Sequence, residues 1–344
     1  MKQLIRRILC LVLAMAMVCT VLPGSVMAQE GSPELPGRIR TAQTEVHNNP
    51  LYEGIVDDSL LQLPEIEVPQ AGTSAAGSAV YVSEAEAAAQ LRQAMVNRQE
   101  SCVLYIATTN SDHNPLMESL FQEAISHTGN PVEGDYLAWQ YGSWRAGSSY
   151  MVDGETYCYT STFTLTYYTD AEQEALMDTE VEELLAELDL AGGTEYEKIQ
   201  GIYDYICANV TYDYANVNDR THLLKHTAYA ALINGTCVCQ GYAVLLYRLA
   251  LTLGLDCRLI AGYGGGEAHG WNIVRLDDLY YNLDSTWDTG KSSYSYFLVS
   301  EDNFGGHVRG NMNGINYAGE AFYAAYPMSD ENYSPEPTAS VRCA

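Results

Sequence analysis

The stretch Gly235-Thr-Cys-Val-Cys-Gln-Gly-Tyr-Ala243 leads into an apolar run that ends at Gly254, and the rest of the chain can be interpreted outward from it. Between Gln240 and Gly254 nearly every residue is apolar or a good helix former, and Arg248 is the only charged residue. Glycine is typical of the position just past a helix end, and a helix that is apolar on most sides is expected to be buried. Cys239 then lies in the first turn, where free N–H groups and the helix dipole favour a thiolate.

A histidine and an aspartate follow in a pattern that predicts a hairpin. His269–Leu276 and Leu279–Trp287 are two strand-like runs on either side of Asp277-Asp278, which is a turn signal. A hairpin centred on that pair places His269 and Asp284 diagonally on one face, within reach of each other. A shift of one residue would put them on opposite faces, so the prediction depends on the turn. A general base and the carboxylate that orients it need this proximity.

Three motifs in this order resemble the core of the transglutaminase-like superfamily: Cys239-Gln-Gly-Tyr-Ala, His269-Gly-Trp-Asn and Asp284-Ser-Thr-Trp-Asp. The similarity covers roughly residues 194–297. It implies that Cys239 is the nucleophile, His269 the base and Asp284 the group that orients the base. The expected fold class is α+β, with a helical layer carrying the cysteine packed on an antiparallel sheet carrying the other two, similar to the papain-like architecture. Gly270 departs from the family, which more often has alanine there, and is expected to loosen the strand beside the base.

Cys237-Val-Cys239 allows two other interpretations. A zinc or redox pair could recruit Cys257 and His269, but Cys-x-Cys is not a common spacing for structural zinc. A lone cysteine in an apolar helix is usually an inert core residue. The added histidine and aspartate favour the nucleophile, and Cys237 is interpreted as structural or able to form a disulfide.

The resemblance also implies a mechanism in which the Cys239 thiolate attacks a peptide or carboxamide carbonyl to form an acyl-enzyme. Water would then give a peptidase or amidase, and a primary amine would give a transglutaminase; we favour hydrolysis. Backbone N–H groups at the helix start are expected to stabilise the oxyanion. Side chains that could assist are Gln240, Tyr212, Tyr214, Tyr242 and Trp271. No cofactor or metal is implied, and no calcium loop is visible in the sequence. The expected substrate is a protein or peptide, such as a cell-wall peptide.

Two non-enzymatic interpretations remain open: a surface binding module that retains the triad, and an adhesin in which the region before the catalytic domain does the work. A metal pair formed by His222 and His226 is a further alternative, although no third ligand is evident nearby.

The N-terminal residues 1–28 have the pattern of a cleaved signal peptide. Lys2, Arg6 and Arg7 precede an apolar run, and Val26-Met-Ala28 is a small-residue cleavage site. We therefore expect a secreted or cell-surface protein with no transmembrane segment after cleavage. The formal net charge of −27 argues against nucleic-acid binding, because both partners would be anionic.

The remaining chain divides by pattern into four parts. Residues 29–79 are rich in proline, glycine and serine and are expected to form a disordered spacer, with Leu51–Leu63 able to dock locally. Residues 80–168 predict a small α/β domain of unknown role, with helices near 83–98 and 115–126 and strands near 102–107 and 157–168. Residues 169–328 form the catalytic domain with its leading helices, and 329–344 a flexible tail. Cys102 and Cys158 could pair in an oxidising compartment.

Overall fold

Two antiparallel sheets and the helices packed on them form the architecture, in a computed structural model that describes residues 39–53, 55–63, 80–312 and 314–335. In chain order the elements are β1 (Arg40–Gln43), β2 (His47–Asn48), α1 (Glu84–Val96), β3 (Ser101–Thr108), α2 (His113–Ala124), α3 (Asp135–Ala138), β4 (Tyr141–Asp153), β5 (Thr156–Tyr167), α4 (Ala171–Leu188), α5 (Glu195–Asn209), β6 (Thr211–Tyr212), β7 (Thr236–Cys237), α6 (Cys239–Thr252), β8 (Cys257–Gly264), β9 (Glu267–Leu276), β10 (Leu279–Leu283), α7 (Ser285–Asp288), β11 (His307–Arg309), β12 (Asn311–Met312), β13 (Ile315–Asn316) and α8 (Glu320–Ala325). The expected α+β class is confirmed. The predicted signal peptide lies outside the described residues.

The first sheet has the order β1-β4-β5-β3, with β2 also paired to β4. Helix α1 packs against both β3 and α2, so the two helices cover one face. Helix α1 begins where the sequence predicts, because the Ser83 side chain accepts from the Glu86 N–H and the Glu86 side chain accepts from the Ser83 N–H. The predicted helices and strands of residues 80–168 are therefore present, within a few residues of their expected ends.

Strand β4 is the largest element that the sequence did not predict. Its residues include two glycines and three serines, which obscure the alternating pattern of a strand. It nevertheless lies inside the sheet, and most of its residues are buried.

The expected disordered spacer is wrong for residues 39–53 and 55–63. Strands β1 and β2 pair with β4, and Leu51 and Tyr52 are buried. The local docking expected of the apolar Leu51–Leu63 stretch is present in its described residues. The segment of residues 55–63 also contacts the second half of the chain, since the Asp57 N–H donates to the Arg220 carbonyl at 3.0 Å.

The second sheet, in the order β10-β9-β8-β11, packs against α6. Every side chain from Cys239 to Leu251 in α6 is buried, as the apolar run predicts. The hairpin register is also as predicted, with Leu276 opposite Leu279. The strand predicted for Leu279–Trp287 is wrong at its end, because β10 stops at Leu283 and helix α7 begins at Ser285.

The described residues from 39 onward form one compact unit. The boundary expected at 168 therefore separates two sheets and not two separately packed domains. Cys102 and Cys158 are free; they lie in adjacent strands but oppose Phe163 and Ala107, so the suggested disulfide is absent. None of the described helices is long and apolar enough to cross a bilayer.

Candidate active site

The thiol of Cys239 is presented at the first residue of α6. The preceding residue, Val238, has no side chain that can cap the helix, so first-turn N–H groups are left for another acceptor. The Gly241 backbone lies close to the preceding strand, and a Cβ there would be 2.6 Å from Cys237 Cβ. The glycine of the Cys-Gln-Gly-Tyr motif therefore lets the helix start against β7. The Asn272 amide, which donates to the Ala243 carbonyl at 3.0 Å, ties β9 to the same turn.

His269 and Asp284 meet as the hairpin predicts. His269 Nε2 lies 2.8 Å from Asp284 Oδ2, and both side chains are buried. His269 and Cys239 line the same cavity, and the thiol is one of the groups that raise the pKa of His269. The three predicted residues are thus brought to one site: His269 hydrogen-bonds Asp284 and shares a cavity with Cys239.

Asp284 holds its position because its other oxygen caps a helix. Asp284 Oδ1 accepts from the backbone N–H groups of Thr286 at 2.9 Å and Trp287 at 3.2 Å. The change from strand to helix at this residue, which the sequence did not predict, therefore fixes the carboxylate from behind. Oδ2 remains free to face the histidine.

His307 is a site residue that sequence reasoning missed. Its Nε2 lies 3.0 Å from Asp284 Oδ2, the same oxygen that faces His269. It arrives on β11, which pairs with β8 across the sheet, and stacks on Phe304 with ring centroids 3.9 Å apart. The available signal was the short His307-Val-Arg run between glycines in a stretch that otherwise predicts a loop.

The contacts shift the protonation of both partners. Burial by itself lowers the pKa of His269, but the hydrogen bonds and charges of Asp284 and Cys239 outweigh it and raise that pKa to about 10. Burial opposes ionisation of Asp284, but its hydrogen bonds from His269 and His307 lower its pKa to about 2. At neutral pH this combination gives an imidazolium beside a carboxylate.

Aromatic rings screen the histidine and aspartate from water. The rings of Trp287 and Trp271 lie 5.5 and 6.1 Å from that of His269. Two of the side chains considered as helpers are engaged elsewhere: the Trp271 indole donates to Asn282, and the Tyr242 hydroxyl donates to the Val210 carbonyl.

Gln240 turns its carbonyl oxygen toward the thiol, with Cys239 Sγ 3.3 Å from Gln240 Oε1. The same oxygen lies 3.2 Å from Nδ1 of the buried His226. His226 is therefore a support of the helix start, and the suggested metal pair with His222 does not form a ligand cluster among the described residues. Among the described residues, the three that could together hold a metal ion are His269, Asp284 and His307, whose ligand atoms lie within 4.8 Å of one another. Both histidines already hydrogen-bond Asp284.

Two cavities meet at the thiol. Cavity A, of about 630 Å³, is lined by Ile55, Val217, Arg220, Val238 and Gln240 among others. Cavity B, of about 520 Å³, is lined by Tyr214, His269, Trp287, Lys291 and Tyr296 among others. Both include Tyr212, Cys239, Glu267 and Ala268, so the thiol lies at their junction. A substrate can therefore extend away from the thiol in two directions.

Comparison with known proteins gives a family model that matches part of the chain, and distant relatives. Residues 182–285 match the transglutaminase-like superfamily. Kyphoscoliosis peptidase of Homo sapiens is 28% identical over 122 residues, which cover 32% of this chain and 18% of that protein. Kyphoscoliosis peptidase of Mus musculus is 27% identical over 120 residues, which cover 31% and 18%. The matched part thus spans less than a fifth of these relatives. The crystal structure of a TGase aligns with 18% identity and a TM-score of 0.30, over 59% of this chain and 56% of that one.

Proposed function

We propose that this chain, which carries a transglutaminase-like domain at residues 182–285, is a thiol enzyme that acts on peptide or carboxamide bonds through an acyl-enzyme. The observation that carries the proposal is the position of His269, which lines the same cavity as the Cys239 thiol and lies 2.8 Å from Asp284 Oδ2. A thiol, a base and an orienting carboxylate in this order are the parts that nucleophilic acyl transfer needs. An inert core cysteine would require neither partner.

In the first half of the proposed reaction, Cys239 Sγ attacks the carbonyl carbon and a C–S bond forms. The carbonyl oxygen becomes an oxyanion, which backbone N–H groups at the start of α6, left without a side-chain cap, would stabilise. The C–N bond then breaks while His269 passes its proton to the leaving nitrogen. Asp284 keeps the ring oriented throughout and favours its protonated form until this transfer, because its own low pKa leaves it ionised.

In the second half, an acceptor attacks the thioester and His269 takes the acceptor's proton. Water releases a carboxylic acid, and a primary amine releases an amide. We propose that water is the usual acceptor. The homology to the two peptidases supports this preference, although it covers only part of each chain.

Product analysis over time separates the two outcomes. The enzyme is incubated with a peptide library at modest concentrations of a primary amine, and free acids and amine adducts are followed by mass spectrometry. Hydrolysis predicts that free acids form faster than adducts in the wild type and that both disappear in Cys239→Ala. Faster formation of adducts would assign a transglutaminase, and an unchanged biological effect in Cys239→Ala would favour a non-catalytic binding module.

We also propose that the mature protein is secreted or displayed at the cell surface and acts on a protein or peptide there, such as a cell-wall peptide. The charged, apolar and small-residue segments of residues 1–28 support export. N-terminal sequencing of the exported protein should begin at Gln29; retention of residues 1–28 would contradict the proposal.

A further inference from the structure

The position of His269 indicates which cavity takes the acyl part of the substrate and which takes the leaving part. In the proposed reaction, on which this inference rests, His269 hands its proton to the leaving nitrogen, so that nitrogen must lie on the side of the thiol that His269 faces. His269 lines cavity B and is absent from the lining of cavity A. The leaving part of the substrate therefore belongs in cavity B. The acyl part belongs in cavity A, beside the first turn of α6.

The wall of cavity A is held in place by hydrogen bonds and includes a residue from the N-terminal segment. Ile55 lies at this wall, and its N–H donates to the Tyr52 carbonyl at 2.9 Å. The residues that follow are held to Arg220, which also lines cavity A: the Asp57 N–H donates to the Arg220 carbonyl, and the Arg220 guanidinium donates to the Val56 carbonyl at 2.7 Å.

The wall of cavity A combines polar residues such as Arg220 and Glu267 with aliphatic ones. Ile55, Val217 and Val238 contribute branched apolar side chains to cavity A. Branched aliphatic walls favour an aliphatic side chain over glycine, since each buried methylene contributes about 0.8 kcal/mol. The acyl-side residue of the substrate is therefore expected to be aliphatic.

Cavity B has room for more than a small leaving group. Tyr214 is 81% exposed and its ring lies 4.9 Å from that of Tyr212, while Trp287 and Tyr296 pack edge to face at 5.0 Å. Hydrolysis of a side-chain carboxamide releases only ammonia, which would leave these rings without a partner. A peptide that continues past the scissile bond can pack against them.

We propose that the cleft binds a peptide across the thiol, with an aliphatic acyl-side residue against Ile55 in cavity A and the continuing chain against Tyr214 in cavity B. The substrate is then a peptide bond within a chain. Ile55 determines specificity on the acyl side and Tyr214 on the leaving side.

The acyl side is tested with two peptidyl chloromethyl ketones that differ only in having leucine or glycine next to the ketone. Cys239 Sγ bonds to the methylene carbon and chloride leaves, so the probe occupies only the acyl side and requires no turnover. Each rate is divided by the iodoacetamide rate of the same variant, which corrects for thiol reactivity. We expect leucine to be preferred, Ile55→Ala to reduce that preference about tenfold, and Tyr214→Ala to retain it.

The leaving side is tested with a peptide that continues past the leucine and a matched peptide that ends there as a primary amide. We expect the continuing peptide to be cleaved faster, and Tyr214→Ala, but not Ile55→Ala, to reduce this advantage. The assignment would be overturned if Ile55→Ala changed the leaving-side preference or Tyr214→Ala changed the acyl-side preference. It would also be overturned if neither variant changed the preference assigned to it. Slow alkylation of Cys239 by iodoacetamide, with no dependence on His269, would instead contradict the proposed function. Rapid alkylation without cleavage of either peptide would contradict hydrolysis, and the ketones would still test cavity A.

Discussion

The indole of Trp139 lies against Gly270 so closely that a Cβ at position 270 would be 2.6 Å from Trp139 Cζ3. Trp139 belongs to the first half of the chain and is 1% exposed, and Gly270 is the residue after His269. The glycine that departs from the alanine more usual in the family therefore makes room for this indole. Instead of a loose strand beside the base, the chain has a close contact there, and the early segment supports the strand that carries His269.

The first prediction is that Gly270→Ala destabilises the protein. The added methyl group collides with a buried ring, and overpacking of this kind costs about 1–3 kcal/mol of unfolding free energy. Urea unfolding followed by tryptophan fluorescence would measure it. Gly192→Ala is the matched control, because a Cβ there meets no atom within 4 Å. Equal stability of the two variants would contradict the contact, and Trp139→Leu should reduce the cost of Gly270→Ala.

The second prediction concerns His307 as a positioning residue. His307→Phe can retain the stacking on Phe304 but removes a donor to Asp284 Oδ2. That donor lowers the pKa of Asp284, so the pKa in the variant should rise toward the ordinary 3.8. A group with a depressed folded-state pKa stabilises the protein above its unfolded pKa and loses this contribution as pH falls. The variant should therefore be less stable than the wild type by about 1–2 kcal/mol at pH 6, and the difference should shrink as pH falls through 2.

Urea titrations at several pH values between 2 and 6 would measure this difference. His307→Gln, whose amide can still donate, should recover part of the stability. A deficit in His307→Phe that is the same at every pH would show that His307 only fills space.

The third prediction concerns the origin of the raised pKa of His269. Asp284→Asn removes the carboxylate charge and weakens the acceptor, so the pKa of His269 should fall from about 10 toward 6.5. Titration of the imidazole by nuclear magnetic resonance would report it directly. Cys239→Ala should also lower the pKa of His269, because the thiol contributes to the shift. A ring that still titrates near 10 in Asp284→Asn would mean that the carboxylate does not control it.

The local parts of the site could be predicted from the sequence because short-range rules determine them. The apolar run after Gln240 predicts a buried helix with Cys239 at its start, and the turn at Asp277-Asp278 fixes the register that joins His269 to Asp284. Each of these inferences involves residues at most about 15 positions apart along the chain.

The parts that could not be predicted depend on pairing between distant segments. His307 reaches the site because β11 pairs with β8, more than 40 residues earlier. Ile55 reaches cavity A because its neighbours Val56 and Asp57 hydrogen-bond Arg220, more than 160 residues later. Strand β4 is recognisable only in the sheet, since its glycines and serines carry little strand propensity of their own. No local pattern encodes these contacts.

The most direct test of the central claim is the rate of Cys239 alkylation as a function of pH, read by peptide mass spectrometry in the wild type and in His269→Ala. It needs no knowledge of the substrate. An activated pair predicts rapid alkylation that persists well below about pH 8.5, where an ordinary cysteine is mostly protonated, and that is lost in His269→Ala. Slow alkylation that increases only near pH 8.5, or that does not change when His269 is removed, would contradict the proposed nucleophilic site.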